Sequence, residues 1–214
     1  MSTLHDRIFK EFFHRFLPDF VHIFFPEMAA QLNFATLTFV TQELMVNLPQ
    51  RILRITDVVA EVETWSGDPQ VIIVLVEVEA NRPAPLPQRM FEYYGLLRLL
   101  LQKPIFPIAF LPLHKGGVGW RLYQEELFGR KLGCLHYGQV GLRDLLSPTY
   151  LASQNPVAAA LAVLMDDPAN AASQLKLSAL QRVHTSQLTE GDKLYLIEVM
   201  ETYLPTAMLP QAGD

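Results

Sequence analysis

The feature that most constrains this chain is a pair of strand-like segments near its middle, residues 55–63 and 71–79, on either side of a turn. The second segment (VIIVLVEVE) is a near-continuous run of β-branched and aliphatic residues, which is typical of a central strand covered on both faces. Residues 65–69 (WSGDP) are turn formers. The two segments therefore predict an antiparallel hairpin inside a larger, buried sheet.

Carboxylates interrupt both strands where apolar side chains are expected. If Gly67 centres the turn, Asp57 lies opposite Glu77, and Glu79 follows on the same face. Directly opposed side chains have Cβ atoms roughly 4.5–5.5 Å apart, and like charges at that distance destabilise a sheet. We therefore expect a positive group between them, and a divalent cation held by both carboxylates is the simplest one. Magnesium held in this way is the usual centre of phosphodiester chemistry.

Other interpretations of these carboxylates remain open. Asp57 and Glu77 can lie on a solvated sheet face, or one of them can pair with Arg54 or Arg89. The apolar neighbours in both strands favour the metal site, because a carboxylate among them is costly unless it is compensated. Glu61 lies closer to the turn, where charge is well solvated, and we expect it to be a surface residue.

Composition limits the class of protein. The 214 residues are 50% hydrophobic and 18% charged, which is enough for one sizeable core. Cys134 is the single cysteine, so an intramolecular disulfide and a cysteine zinc site are excluded, as in a reducing cytosol. The N-terminus shows no targeting pattern, and no apolar stretch reaches the ~18 residues of a membrane span. We expect a cytoplasmic protein with no membrane partner.

The charge is unevenly distributed along the chain, although the net charge is −5. Residues 51–80 hold two basic and six acidic groups, whereas residues 81–150 hold nine basic and four acidic groups. A basic stretch directly after a candidate metal site suits a substrate with a phosphate backbone, because cations position phosphates. Ordinary solvated surface charge is the alternative.

Hydrophobic periodicity predicts an α/β core followed by helices. The expected elements are a helix at 5–16, strands at 51–63 and 71–78, a helix at 88–102, a strand at 105–111, and helices at 156–165, 169–180 and 192–203. Pro107 is expected to bend the strand at 105–111 or to place it near a sheet edge. We divide the chain into an α/β domain at 1–150 and a helical extension at 151–214.

This order of elements resembles the PD-(D/E)XK phosphodiesterase superfamily, whose core is a helix, a three-stranded meander, a helix and a further strand. More narrowly, HDRIFK at 5–10 and RMFEYY at 89–94 resemble the Rpn-type recombination-promoting nucleases and transposase-like proteins of bacteria. The resemblance covers roughly residues 4–145. It implies a restriction-endonuclease-like core at 1–150, followed by the C-terminal helical extension.

The resemblance also implies roles for the carboxylates. Asp57 matches the superfamily's metal-binding aspartate, and Glu77-Val78-Glu79 matches its D/E-x-K tripeptide. Asp57, Glu77 and the Val78 carbonyl would then bind Mg²⁺ or Mn²⁺. Glu79 departs from the pattern, because it replaces a lysine that orients the attacking water and stabilises charge on the phosphate. Glutamate can position or activate water, but it cannot stabilise that negative charge.

The cationic role would therefore pass to an arginine. Arg89 lies one turn into the helix after the third strand, and Arg82 lies in the proline-rich segment before it. Tyr93 is four positions after Arg89, on the same helical face, and is a candidate substrate contact. A position in the core or at its rim is the alternative for this tyrosine.

The sequence thus predicts a divalent-metal-dependent DNA endonuclease with Asp57, Glu77, Glu79 and Arg89 as its catalytic residues. The alternative is a catalytically silent domain of nuclease fold that binds nucleic acid or a protein partner. The missing lysine and the acidic overall charge favour that alternative. Self-association through the small residues at 158–162, giving a homo-oligomer, is compatible with either function.

Overall fold

A computed structural model describes residues 4–40, 58–76, 85–167 and 171–205, which form an α/β fold around a mixed six-stranded sheet. The strands are β1 (Leu32–Phe39), β2 (Val58–Thr64), β3 (Pro69–Val76), β4 (Ile105–Leu111), β5 (Gly117–Leu127) and β6 (Arg130–Gly141). The described helices are α1 (Leu4–Phe24), α2 (Pro26–Ala29), α3 (Leu86–Leu101), α4 (Ser147–Leu151), α5 (Pro156–Ala162), α6 (Ala172–His184) and α7 (Glu190–Tyr203).

The strand order across the sheet is β1-β2-β3-β4-β6-β5. β1, β2 and β3 form an antiparallel meander, and β4 is parallel to both of its neighbours, β3 and β6. β5 pairs antiparallel with β6 and lies at the edge. Because β3 and β4 are parallel, the chain must cross over between them, and α3 lies in that connection.

The predicted β2–β3 hairpin is present, but the predicted register is wrong by two residues. Val58 faces Val74, whereas a turn centred on Gly67 would set it opposite Val76. Glu63 faces Pro69, so the turn is centred on Ser66. Gly67 lies beyond the centre, with φ at +87°, a conformation that glycine adopts easily. Because the predicted and observed registers differ by an even number of residues, the odd-numbered residues of both strands still lie on one face of the sheet.

β3 is buried on both faces, as its sequence predicts. Ile72 and Val74 point into a core shared with α1, while Val71 and Ile73 point into a second core shared with α3. Helices thus cover both faces of the sheet, α1 and the C-terminal helices on one and α3 on the other. Such burial on both sides is characteristic of strands that pair in parallel.

The edge position that Pro107 suggested is wrong, because β4 lies in the middle of the sheet. Pro107 pairs with Ile73 of β3, whereas the pairing with β6 begins only at Ile108. The proline therefore precedes the ladder on the β6 side, where a missing N–H removes no bond between the strands.

The first helix was expected either to end at Pro18 or to be followed there by a second short helix, and the second alternative is confirmed, because the two helical segments join across a kink to form α1. The backbone leaves helical geometry at Phe16 (φ −127°, ψ 21°), two residues before Pro18, and then continues as helix to Phe24. A proline cannot donate to the helical ladder, which explains the kink. The helix buries a phenylalanine face against Phe110 of β4, which meets the rings of Phe9, Phe13 and Phe20 edge-to-face at centroid distances of 5.3, 5.4 and 5.2 Å.

The three predicted C-terminal helices are present as α5, α6 and α7, and they pack into the same core as α1. Arg15 of α1 donates to Asp192 of α7 at 2.9 Å, and the Tyr195 hydroxyl donates to the Ile8 carbonyl. Burial raises the pKa of the Tyr195 phenol far above its ordinary value, so this donor keeps its proton. Lys176 of α6, almost fully buried, forms a 2.6 Å ion pair with Glu201 of α7.

The small residues of α5 do not form an exposed face. Residues 157–162 are completely buried, where they contact the chain's own helices. Self-association through Ala158–Ala162 is therefore excluded in this fold, because the small side chains already allow close packing within the molecule. Among the described helices, none has both the length and the hydropathy of a membrane span.

We predict that Phe13→Ala lowers the free energy of unfolding by about 3–5 kcal/mol, because Phe13 is fully buried among aromatic rings. Leu99→Ala, on the exposed side of α3, serves as the matched control and should change it by less than about 0.5 kcal/mol. Denaturant titration followed by circular dichroism measures both. Equal losses in the two variants would contradict the described core.

Candidate functional site

The candidate site lies where α3 covers the odd-numbered face of the sheet. The helix begins after Pro85, and Pro87 occupies its first turn, where a missing N–H costs nothing. Its buried side chains are Arg89, Met90, Tyr93 and Leu97, a spacing that forms one helical face. Three of them pack against Val59, Val71, Ile73, Ala109, Leu135 and Tyr137 of the sheet. An arginine thus shares a helix face that is otherwise apolar or aromatic.

α3 lies in the crossover between the parallel strands β3 and β4, and Arg89 belongs to the start of this helix. Two residues further on, Phe91 packs against Tyr123 of β5, with ring centroids 5.2 Å apart. A side chain at Gly133 of β6 would meet the same phenylalanine ring. The start of α3 therefore lies beside the β5–β6 hairpin.

Arg89 is only 5% exposed, and its Nε and Nη1 atoms are shielded from solvent. A guanidinium keeps its charge in proteins, and burying that charge is expensive unless negative groups compensate it. Nearby negative groups or hydrogen-bond acceptors are therefore needed to stabilise Arg89 at this position. The buried charge of Arg89 distinguishes the first turn of α3 from the apolar residues on this face.

Tyr93 is a core residue. Its side chain is buried in the cluster with Met90 and Leu97. Tyr137 of β6 belongs to the same cluster, and burial raises the pKa of its phenol, although the charge of Arg121 opposes this shift. Of the two alternatives for Tyr93, the structure supports the core position, because a buried ring does not offer its face to a substrate.

Five predicted site residues lie outside the described part of the chain, namely Asp57, Glu77, Val78, Glu79 and Arg82. Asp57 and Glu77 are the sequence neighbours of Val58 and Val76, where the described parts of β2 and β3 begin and end. Within residues 4–40, 58–76, 85–167 and 171–205, no group of three or more His, Cys, Asp or Glu side chains could hold a metal ion. The proposed metal site therefore remains a prediction.

One ion pair on the odd-numbered face was not anticipated from the sequence. The Lys103 ammonium donates to the Glu61 carboxylate at 2.5 Å, and both side chains are about one-third exposed. Glu61 faces Val71, which in turn faces Ile105, so the pair lies toward the amino ends of β3 and β4. A partly solvated ion pair of this kind contributes little to stability. The sequence alone indicated only that Glu61, as an odd-numbered residue of β2, shares this face of the sheet.

The glycine-rich segment at 115–119 (KGGVG) consists of two loop residues and the first three residues of β5. The Gly116 amide donates to both carboxylate oxygens of Asp144, at 2.9 and 3.1 Å. Its carbonyl accepts from Arg121 at 2.5 Å and from Gln139 at 3.1 Å. A loop whose amide already binds a carboxylate does not offer that amide to a phosphate, so this segment is structural.

Comparison with models of protein families, with curated proteins and with solved structures finds no match to this chain. The resemblance to Rpn-type proteins therefore rests on the motifs described above.

We predict that Arg89→Ala lowers the free energy of unfolding by roughly 3–5 kcal/mol, because it leaves buried negative groups without their cation. Arg98→Ala is the matched control, since Arg98 lies on the same helix but is exposed. Its effect should stay within about 0.5 kcal/mol. Urea unfolding of the purified variants measures both, and a small effect for Arg89→Ala would contradict an anionic environment around its guanidinium.

Proposed function

We propose that the protein is a magnesium- or manganese-dependent DNA endonuclease of the Rpn-like PD-(D/E)XK type. Its site is proposed to lie at the end of the sheet bordered by Val58, Val76 and the first turn of α3. The observation that supports it best is the buried arginine near the start of α3, the helix that follows β3 in the chain, while Asp57 and Glu77 adjoin the described ends of β2 and β3 in sequence. A buried cation beside a cluster of acidic residues is typical of a functional site.

The order of the described elements also supports the proposal. A helix, an antiparallel meander of three strands, a second helix and a strand parallel to the third follow one another as α1, β1–β3, α3 and β4. This is the order implied by the resemblance. The short helix α2 and the β5–β6 hairpin are additions to it.

The proposed acidic residues suit a hard divalent cation, because carboxylate and carbonyl oxygens are the ligands that Mg²⁺ and Mn²⁺ prefer. Asp57, Glu77 and the Val78 carbonyl would hold the ion. When bound, the ion would polarise the phosphate and lower the pKa of its water. The odd numbering of Asp57, Glu77 and Glu79 matches that of Val59 and Ile73, whose side chains face α3.

Two side chains would then complete the chemistry. Glu79 would accept a proton from the attacking water, a task that a carboxylate near a cation can perform. Arg89 would stabilise the negative charge that develops on the phosphate, with Arg82 as a second contact. With Nε and Nη1 shielded from solvent, Arg89 would act on the phosphate as a nearby charge rather than as an exposed contact, and a charge in a water-poor site acts more strongly than the same charge in solvent.

We predict that the protein nicks supercoiled plasmid DNA in the presence of Mg²⁺ or Mn²⁺, and that Asp57→Ala reduces nicking to the level of the protein-free control. Glu63→Ala is the matched control, because it also removes a carboxylate but from an exposed position of β2 near the turn. It should retain wild-type nicking, as measured by agarose gel. Unchanged plasmid under both metals would refute the proposal for this substrate.

Metal binding separates the enzyme from a silent domain of the same fold. We predict that titration calorimetry detects Mn²⁺ binding to the wild-type chain and that Asp57→Asn and Glu77→Gln abolish it. Saturating Mn²⁺ should also raise the free energy of unfolding by about 1–3 kcal/mol in the wild type only. Equal metal responses in wild type and variants would assign the cation to other residues and favour the silent domain.

A further inference from the structure

The outer edge of β5 is an unusual surface for a monomer. β5 is 11 residues long and pairs on one side only, with β6, among the strands that the structure describes. Long free edges offer a row of unpaired N–H and C=O groups, and monomeric proteins usually interrupt them with proline, charged side chains or a bulge. β5 contains no proline, and the bulge of this hairpin lies in β6, where Leu132 is the extra residue. The charged residues of β5 are Arg121, Glu125 and Glu126.

Apolar side chains line the same strand. Trp120 and Leu122 share one face of β5 and are 50% and 46% exposed, and Phe128 at the tip of the hairpin is 93% exposed. Trp120 is fixed on its inner side by the rings of Phe106 and Phe25, at centroid distances of 5.4 and 6.4 Å. Its outer half is therefore held in place and available to a partner. An apolar strip of this kind beside a free edge marks an interaction surface.

The charges on β5 are self-complementary. Arg121 and Glu125 lie on the face opposite Trp120, and each is two residues from Tyr123. If two copies of β5 pair antiparallel about a two-fold axis at Tyr123, Arg121 of each copy lies opposite Glu125 of the other. Opposite charges at directly facing positions stabilise an antiparallel pair. The same register makes Leu122 of each copy a diagonal neighbour of Leu122 in the other.

From these three features, we infer that the protein forms a two-fold symmetric homodimer through antiparallel pairing of β5 with β5 of a second copy, joining two six-stranded sheets into one. A second copy fits this edge, because Arg121 and Glu125 of one β5 strand lie opposite Glu125 and Arg121 of the other when two copies pair antiparallel. A two-fold symmetric interface requires such self-complementarity. A nucleic-acid strand suits this edge less well, since it would meet the carboxylates of Glu125 and Glu126. The inference does not depend on the proposed nuclease activity.

The interface is small. Stable dimers bury at least about 1,200 Å² in total, and one strand edge with a few apolar side chains is at the low end of that range. We therefore expect dissociation in the micromolar range, visible as a concentration-dependent mass.

Sedimentation velocity of the full chain over a concentration series tests this inference. The wild type should shift from monomer to dimer. Arg121→Glu places a glutamate at position 121 of each copy opposite Glu125 of the other. The two repulsive pairs should weaken the dimer roughly tenfold or more. The double variant Arg121→Glu/Glu125→Arg restores both pairs and should dimerise like the wild type. Arg130→Glu, an exposed charge reversal on β6 away from the free edge, is the matched control and should change nothing.

Arg121 also donates to the Gly116 carbonyl within its own chain. The single variant Glu125→Arg therefore repeats the test without disturbing that bond, and circular dichroism checks that each variant is folded. A wild type that stays monomeric up to its solubility limit would overturn the inference. Binding of labelled duplex DNA through Arg121 would not rescue it. A double variant as weak as the single ones would also overturn it. Asp57→Asn should dimerise normally, which separates this outcome from failure of the proposed activity.

Discussion

The burial of β3 on both faces is the constraint on which the rest of this structure depends. Four consecutive residues of that strand, 71–74, are almost completely removed from water, which requires apolar cover above and below the sheet. α1 supplies a phenylalanine face on one side, and α3 supplies Met90, Tyr93 and Leu97 on the other. Because β4 is parallel to β3, the chain must cross over between them, and α3, which carries Arg89, lies in that connection.

Several elements could be predicted because the sequence signal is local. The hydrophobic run at 71–78, the period of the helix at 88–102 and the prolines that start or stop helices all act within a few residues, and the corresponding elements are observed. The register of the hairpin was missed by two residues. It depends on hydrogen bonds around Ser66 and Asp68, in which Thr64, Ser66 and Asp68 bind one another, and glycine position alone does not reveal them.

Other errors came from tertiary context. Pro107 suggested an edge, yet β4 is central, because pairing with β6 begins only after the proline. The small residues of α5 suggested an exposed contact face, yet helix packing within the chain buries all of them. In both cases the error concerns neighbours that are distant in sequence. These neighbours are β6 for Pro107 and the other helices for α5.

The predicted site residues differ in how far the structure describes them. The sequence indicated Arg89 as a functional cation, and the structure shows that it is buried. The carboxylates at 57, 77 and 79 lie outside the described residues, and their metal site stays a prediction. Tyr93 was a candidate for substrate contact and is a core residue, because the helix face that carries Arg89 also covers the sheet.

The central claim is that Asp57 and Glu77 hold a divalent cation at the end of the sheet next to Arg89. An anomalous difference map from a crystal soaked in Mn²⁺ tests it most directly. The account predicts one strong peak within roughly 2–2.5 Å of carboxylate oxygens of both residues. A map from a well-occupied soak with no peak there, or with carboxylates that pair only with Arg89, would contradict it.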